Sequence, residues 1–487
     1  MGIPVYFKTI VKDYENKILK KDKLNNCNSL FLDLNCAIHP CCQGETNETI
    51  MIQKIIKKIE DLIEYTQVTD LLYIAIDGVP PKGKMKQQQM RRHKSVLEGK
   101  PWDTNAISPG TYFMKKLNNS IREWIKEQNN YKIIFSDSNE RGEGEHKILQ
   151  YIKENNIKTS VIYGLDADLI MLSMVSGKEN IYLLRERTEY NIENTENEYI
   201  YLIIDELKKF LISEIGLKAP KEILINDYIF ICFFLGNDFI NHIDSLSLRY
   251  GGYDIILETY KLLQERYQGY FQLIDLNLEH CIHLTFVREF IYELSLKEKY
   301  LIQKRNKIRE KQYKSIYNKF SNNFHNFKKE YPQKDGSLSL NDVYDYKKEN
   351  LLDEESKEMI ENLPILYYPD EQNYEHEPNK KHCKDYFDSL IWTSHYYFKE
   401  CINWRWCTEY EETPSLVDLY HWVAKIEKLE FEDNKDEYSI KELLTYIFPK
   451  QSHKLHNINI IGSEYKLEIK PYFKRYLWEC DINFVKM

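Results

Sequence analysis

The chain reads as an α/β protein: a mixed, largely parallel sheet flanked by helices, followed by a second, mostly helical and aromatic-rich region. Short apolar runs recur in the first half, each stopping at an aspartate: "SLFLD" at Asp33, "LLYIAID" at Asp77, "YKIIFSD" at Asp137 and "SVIYGLD" at Asp166. Helical stretches such as "ETIMIQKIIKKIEDLIEY" separate them, which is the alternation of βα units around a buried sheet. The second half carries instead a long helical pattern from Phe286 and the aromatic run "YFDSLIWTSHYYFKECINWRW".

At 487 residues, with 43% hydrophobic and 14% aromatic content, the chain has material for two or more folded domains. A formal net charge of −9 argues against coating nucleic acid through bulk charge, yet 67 Lys and Arg suffice for a local basic patch. Ten cysteines, mostly isolated, fit reduced thiols. The N-terminus lacks a signal-peptide pattern, and Tyr6 stands where a myristoylation signal wants Ser or Thr. No apolar run is long enough to span a bilayer. These features predict a soluble cytoplasmic protein with no membrane partner. A nuclear role stays open, although no basic localisation run is clear.

Any one aspartate after a strand can simply cap the next helix. Several on one sheet read differently, because open α/β sheets bind ligands beyond the carboxyl ends of their strands. More acids stand alongside. "GLDADLIML" offers Asp166 and Asp168, "FFLGNDFI" adds Asp238, and "SNERGEGEHKIL" sets Glu143 and Glu145 two residues apart, each after a glycine. With Asp33 and Asp77 that makes seven carboxylates. Two unit charges at 4 Å repel by about 1 kcal/mol in water and about 4 kcal/mol near a protein surface. Hard divalent cations relieve such crowding, and oxygen-only ligands select Mg²⁺ or Mn²⁺ over zinc. Seven carboxylates predict two ions.

A basic constellation follows Asp77. In "DGVPPKGKMKQQQMRRHK", a helix from Lys84 puts Lys84, Gln88, Arg91 and Arg92 on one face. Such a face suits a phosphate, though a solvated basic helix would look the same. Cys36, His39, Cys41 and Cys42 are close in sequence, but no CxxC pair follows them, and zinc is not expected.

The motifs "LFLDLNCAIH", "DGVPPKGKMKQQQMRR", "SPGTYFM", "SDSNERGEGEHKI", "GLDADLIML" and "FLGNDFINH" resemble, in order, the signatures of the Xrn-type 5′→3′ exoribonucleases. "YFDSLIWTSHYYFKECINWRW", "IFPKQSHKL" and "KRYLWEC" resemble that family's second conserved region. The resemblance implies a PIN/flap-nuclease-like sheet with the second region packed over the active site. It implies catalytic, metal-binding carboxylates at Asp33, Asp77, Glu143, Glu145, Asp166, Asp168 and Asp238, holding two Mg²⁺ or Mn²⁺ ions. It also implies a 5′-monophosphate pocket on Lys84, Gln88, Arg91 and Arg92, and base stacking on His39 and on Trp406 or Trp404. The partner would be RNA with a 5′-monophosphate, the protein a monomer, and the products nucleoside 5′-monophosphates. One departure is that Trp404-Arg405-Trp406 leads into "CTEYEETP" and not into a Tyr-Pro-rich run.

The expected organisation is a nuclease domain over 1–260, a long helical segment over 261–330, a partly ordered insertion over 331–380, and the second conserved region over 381–487, a compact catalytic core. His146 and Lys147 are further candidates for holding phosphate. Two other functions share some features. A flap-endonuclease-like DNA nuclease would share the strand-end acids but not the basic helix or the Trp-x-Trp run. A non-catalytic RNA-binding or scaffold protein would have lost at least one of the seven acids, and none is lost.

Overall fold

The apolar runs of the first half form strands because they are rich in β-branched and aromatic residues bounded by turn residues. The computed structural model describes residues 17–97, 100–187, 197–216, 219–320, 379–410, 413–460, 465–473 and 480–486. Its main sheet contains β1 (Leu19–Lys20), β2 (Cys27–Asp33), β3 (Val68–Ala75), β4 (Lys132–Ser136), β5 (Ser160–Tyr163), β6 (Ile181–Glu186) and β7 (Tyr199–Ile203). The strand order is β1-β7-β6-β5-β2-β3-β4. The pairs from β6 through β5, β2 and β3 to β4 are parallel, and the β6–β7 and β7–β1 pairs are antiparallel. The sheet is therefore mixed and largely parallel, as expected. The order reverses between β2 and β5, and such a switch point opens a crevice at the carboxyl ends of the strands.

Helices α1 (Asn35–Cys42), α2 (Glu48–Thr66), α3 (Lys82–Leu97), α4 (Tyr112–Lys126), α5 (Gly144–Glu154), α6 (Ala167–Met174) and α7 (Ile204–Ile215) follow the strands. Helix α2 shows why: Asn47 caps it by accepting from the Thr49 and Ile50 amides, and Met51, Ile55, Ile59 and Leu62 form its buried stripe. Strand side chains alternate between two cores. Leu30, Leu32, Leu72 and Ile74 face α2 and α4, while Phe31, Leu71 and Tyr73 face the other side.

That second core continues into α8 (Lys221–Phe233), α9 (Gly252–Arg266), the long α10 (Leu284–Phe320), α11 (Lys380–Phe398) and α12 (Leu416–Val423). Helix α8 is buried all along Leu224–Phe233 and is mostly apolar there, with Asp227 satisfied by the Leu273 and Ile274 amides and the Tyr260 hydroxyl. Helix α13 (Ile440–Ile447) packs with Val79 and Met85 of the loop and helix after β3. An antiparallel pair, β8 (Tyr465–Phe473) and β9 (Cys480–Lys486), follows. The insertion expected over 331–380 lies almost wholly outside the described residues, as does most of "KRYLWEC". Among the described residues no helix is long and apolar enough to cross a membrane.

A buried carboxylate joins the second region to the first. Glu298 of α10, only 1% exposed, accepts hydrogen bonds from the Leu416 amide (2.8 Å), the Val417 amide (3.0 Å) and the Ser245 hydroxyl (3.0 Å). It satisfies the first amides of α12, beside the helix's own cap, Ser415. Glu298→Ala strands these donors and is expected to cost about 3 kcal/mol of folding free energy, with Glu298→Gln costing less. Urea denaturation followed by tryptophan fluorescence measures both.

Candidate active site

The carboxyl ends of the strands deliver the acids. Asp33 is the last residue of β2, paired with Ala75 of β3. Asp77 follows β3 by two residues. Glu143 and Glu145 start α5 after β4, and Asp166 and Asp168 start α6 after β5. Asp238 comes from the loop after α8. Asp33, Glu143, Glu145 and Asp168 are buried, whereas Asp166 is exposed. The fourth strand-end aspartate goes elsewhere: Asp137 pairs with Arg122 and accepts from the Asn139 amide at 2.8 Å, an ordinary turn role.

The glycines between the glutamates are a matter of space. A Cβ on Gly144 would lie 2.8 Å from Asp33 Oδ1 and 3.4 Å from Asp77 Oδ1. Its amide donates to Asp77 Oδ1 at 2.7 Å. Gly142 has φ +91°, a conformation glycine adopts without strain. Gly78 and Gly142 lace the loops after β3 and β4 together: Gly78 N–H donates to Gly142 O, and Gly142 N–H to Val79 O, both at 2.9 Å.

Lys84 is the cation at the centre. Its Nζ lies 2.7 Å from Glu143 Oε2 and 2.8 Å from Asp238 Oδ2, and the residue is 8% exposed. The sequence pattern grouped Lys84 with the phosphate pocket; the structure gives its ammonium to the acids. Burial alone would lower its pKa, but Glu143 and Asp238 outweigh burial and raise it well above the usual value. Lys84 in turn outweighs the effect of burial on Glu143 and Asp238 and holds both below the usual carboxylate range. The other acids have less relief. Burial, then the charges of Asp77 and Asp166, lifts Asp33 well up. Burial and Glu143 raise both Asp77 and Glu145. Burial and Asp238 push Asp168 up to about 6.

Neutral donors complete the set; of them the sequence drew attention only to Cys36, and there as a zinc ligand that was not expected. The Asn35 amide donates to Asp77. The Cys36 thiol donates to Asp33 Oδ2 at 3.3 Å and accepts from the Leu165 amide at 3.3 Å. From α11, Tyr396 donates to Glu143 Oε1 at 2.6 Å and Tyr397 to Asp168 Oδ1 at 2.9 Å. Asn35 and Cys36 lie two and three residues after Asp33, which was the available signal. Nothing local marks the tyrosines.

As placed, the acids are not a finished metal centre: among the described residues no three His, Cys, Asp or Glu side chains are arranged to hold an ion. The donor set nevertheless fits a hard cation. All the carboxylates are oxygen donors, and Asp33 Oδ1 and Glu145 Oε2 are buried without a hydrogen-bond partner.

A cavity of about 870 Å³ is lined by Asp33, Asp77, Glu143 and Glu145 and also by Gln88, Arg91 and Arg92. Arg92 is tethered by donating to Ile107 O (2.9 Å) and Thr104 O (3.5 Å), while its Nε is buried and unpartnered. Burial and Arg91 lower its pKa to about 10. Gln88 Oε1 is likewise buried without a partner. Arg91 is exposed. His39 stands on the cavity wall, exposed at its surface; partial desolvation there, with Arg92 and Arg91 nearby, lowers its pKa.

The tryptophans are placed otherwise. Trp404 is 9% exposed under the Arg141 guanidinium, and Trp406 packs on Trp392 and Phe431; neither lines this cavity. Lys147 donates to Ile76 O (2.7 Å) and Asp137 O (3.0 Å), so it holds backbone. His146 lies against the Tyr396 ring, centroids 3.9 Å apart.

Family models place the chain. The XRN 5′-3′ exonuclease N-terminus matches residues 1–100 and 93–187, and the Xrn1 helical domain matches 219–385 and 365–456. The chain belongs to the XRN 5′-3′ exonuclease family. The 5′-3′ exoribonuclease 2 homolog of Drosophila melanogaster is 26% identical, over 93% of this chain and 64% of its own length. The 5′-3′ exoribonuclease 2 of Cryptococcus neoformans is 32% identical over 53% of this chain and 30% of its own. The 5′-3′ exoribonuclease 1 of Saccharomyces cerevisiae is 29% identical over 55% and 21%. The chain thus spans 64% or less of these relatives' lengths. A solved structure of the catalytic core of Rad2 with DNA substrate is more distant, with 14% identity and a TM-score of 0.33 over 54% of this chain and 72% of that one.

The lacing of the two loops gives a test of the scaffold. A Cβ on Gly78 would sit 1.6 Å from the Glu140 carbonyl oxygen, a backbone atom. Gly78→Ala is expected to part the loops that deliver Asp77 and Glu143, at a cost of about 3 kcal/mol or more in urea denaturation.

Proposed function

We propose that this chain is a divalent-metal-dependent 5′→3′ exoribonuclease that processively hydrolyses 5′-monophosphorylated RNA to nucleoside 5′-monophosphates. The observation that carries the proposal is a single cavity lined both by a carboxylate cluster and by Gln88, Arg91 and Arg92. Asp33, Asp77, Glu143, Glu145, Asp166, Asp168 and Asp238 would hold two Mg²⁺ or Mn²⁺ ions. Such ions supply an activated water and charge stabilisation at the attacking and leaving oxygens.

The chain's own residues select the end of the RNA. Two guanidinium forks match a terminal phosphate, and the carbonyl tethers of Arg92 fix one of them before substrate arrives. The phosphate end of the cavity measures off the first nucleotide from the acids, so a larger or more highly charged 5′ end is disfavoured. His39, on the wall near both groups, is placed to stack on a leading base, which grips without reading sequence. The protein acts as a monomer in the cytoplasm.

Digestion of matched RNAs with monophosphate, triphosphate or hydroxyl 5′ ends, in Mg²⁺ and in EDTA, tests the reading. Only the monophosphate should be degraded quickly, and only with metal; equal rates for all three ends would contradict it. Asp168→Asn keeps shape but removes a charge, so cleavage should fall by about a thousandfold while RNA binding stays within about tenfold. Near-normal turnover at saturating Mg²⁺ would remove Asp168 from the site. Arg91→Ala combined with Arg92→Ala should erase the preference for monophosphate over hydroxyl ends. Discrimination as strong as wild type would place the pocket elsewhere.

A further inference from the structure

Two adjacent tyrosines from the second region reach into the acid cluster of the first. Tyr396 donates to Glu143 Oε1 at 2.6 Å, and Tyr397 to Asp168 Oδ1 at 2.9 Å, both wholly within the protein interior. Residues at successive helix positions point about 100° apart, so both side chains can reach acids only if the acids lie on two sides of α11. Their partners come from different elements: Glu143 is the N-cap of α5, after β4, and Asp168 lies in the first turn of α6, after β5. The rings are held on their own account. Tyr396 packs on Trp392, Phe239 and His146, and Tyr397 packs edge-on against Phe233.

Each phenol occupies one carboxylate oxygen and so orients the group. On Glu143 the division is complete, with Oε1 taken by Tyr396 and Oε2 by Lys84. On Asp168 the phenol takes Oδ1. Groups that hydrogen-bond a metal-binding carboxylate fix its direction and tune its affinity, and their loss typically costs about 10- to 100-fold in metal affinity or activity.

We propose that Tyr396 and Tyr397 are positioning residues for the acid cluster, and that α11 thereby completes a site whose carboxylates all come from the first region. The proposal rests on the metal-dependent nuclease reading above. Tyr386 supplies a control within the molecule: it is on the same helix and buried, and its hydroxyl has no hydrogen-bond partner.

The test uses the full chain as wild type, Tyr396→Phe, Tyr397→Phe and Tyr386→Phe. Mn²⁺ binding is measured by electron paramagnetic resonance titration without RNA, and kcat and KM on 5′-monophosphorylated RNA. Tyr396→Phe and Tyr397→Phe should each weaken Mn²⁺ binding by about tenfold or more and lower kcat comparably, with KM for RNA unchanged. Tyr386→Phe should match wild type in every measure. A purely structural role would lower the melting temperature and leave Mn²⁺ affinity of the folded protein unmoved. The two acid-facing variants are read independently, so one that folds is sufficient. If a folded variant binds Mn²⁺ within about twofold of wild type, while wild type binds Mn²⁺ and cleaves RNA, the positioning role alone is overturned. If wild type itself binds no Mn²⁺, the nuclease reading falls and this proposal with it.

Discussion

The crowding of carboxylates at one rim of the sheet is the constraint to which the rest of the site answers. Parallel strands place Asp33, Asp77 and Asp166 on that rim, and α5 and the loop after α8 bring Glu143, Glu145 and Asp238 against them. Burying like charges together is costly unless each is paired or hydrogen-bonded. Lys84 absorbs the largest share by bridging Glu143 and Asp238. Asn35, the Gly144 amide, Cys36 and the two tyrosines take further lone pairs. What is left over, at Asp33 Oδ1 and Glu145 Oε2, is the unbalanced part. Buried oxygens left without a partner beside so many paired ones mark where the fold keeps capacity for something outside itself.

This balance explains why the motif alternates glycine and glutamate. A side chain at Gly144 would collide with Asp33, so the acids could not share one rim. The same closeness gives Gly78 its role, since the loops after β3 and β4 are laced backbone to backbone. The position of each carboxylate is therefore fixed by main chain more than by side-chain packing. That suits a site whose carboxylates must stay close against their own repulsion.

Most of the fold was legible because its signals are local. Strand-end acids and the periodicity of α2 and α3 depend on a few neighbouring residues, and the sheet and helices follow from them. The failures are equally physical. Periodicity puts Lys84, Gln88, Arg91 and Arg92 on one face but cannot say that the first turn of α3 abuts Asp238 while the later turns lie further along the cavity. Asp137 shares the strand-end pattern of Asp33, yet Arg122 and Asn139 claim it. The tyrosine contacts span 253 and 229 residues, and no local rule reaches so far. Trp404 and Trp406 form a conspicuous pair in sequence, but aromatic side chains carry large apolar area, and here Trp392, Phe431 and Arg141 cover them.

Arginines lining one cavity with the carboxylates also reconcile the net charge of −9 with the polyanionic substrate proposed above. Bulk charge sets long-range attraction, which salt screens beyond about 8–10 Å. Selectivity is decided at shorter range, where contacts are less screened. Arg92 pays part of its desolvation in advance, held by two carbonyls that cannot neutralise it. On the proposed function, a bound phosphate would neutralise it and gain what those carbonyls leave unsatisfied. Beside the carboxylates the same phosphate charge would be repelled by the acids unless cations stood between. On the function proposed above, RNA would enter with its 5′ phosphate at Arg91 and Arg92 and its next phosphodiester toward the carboxylates.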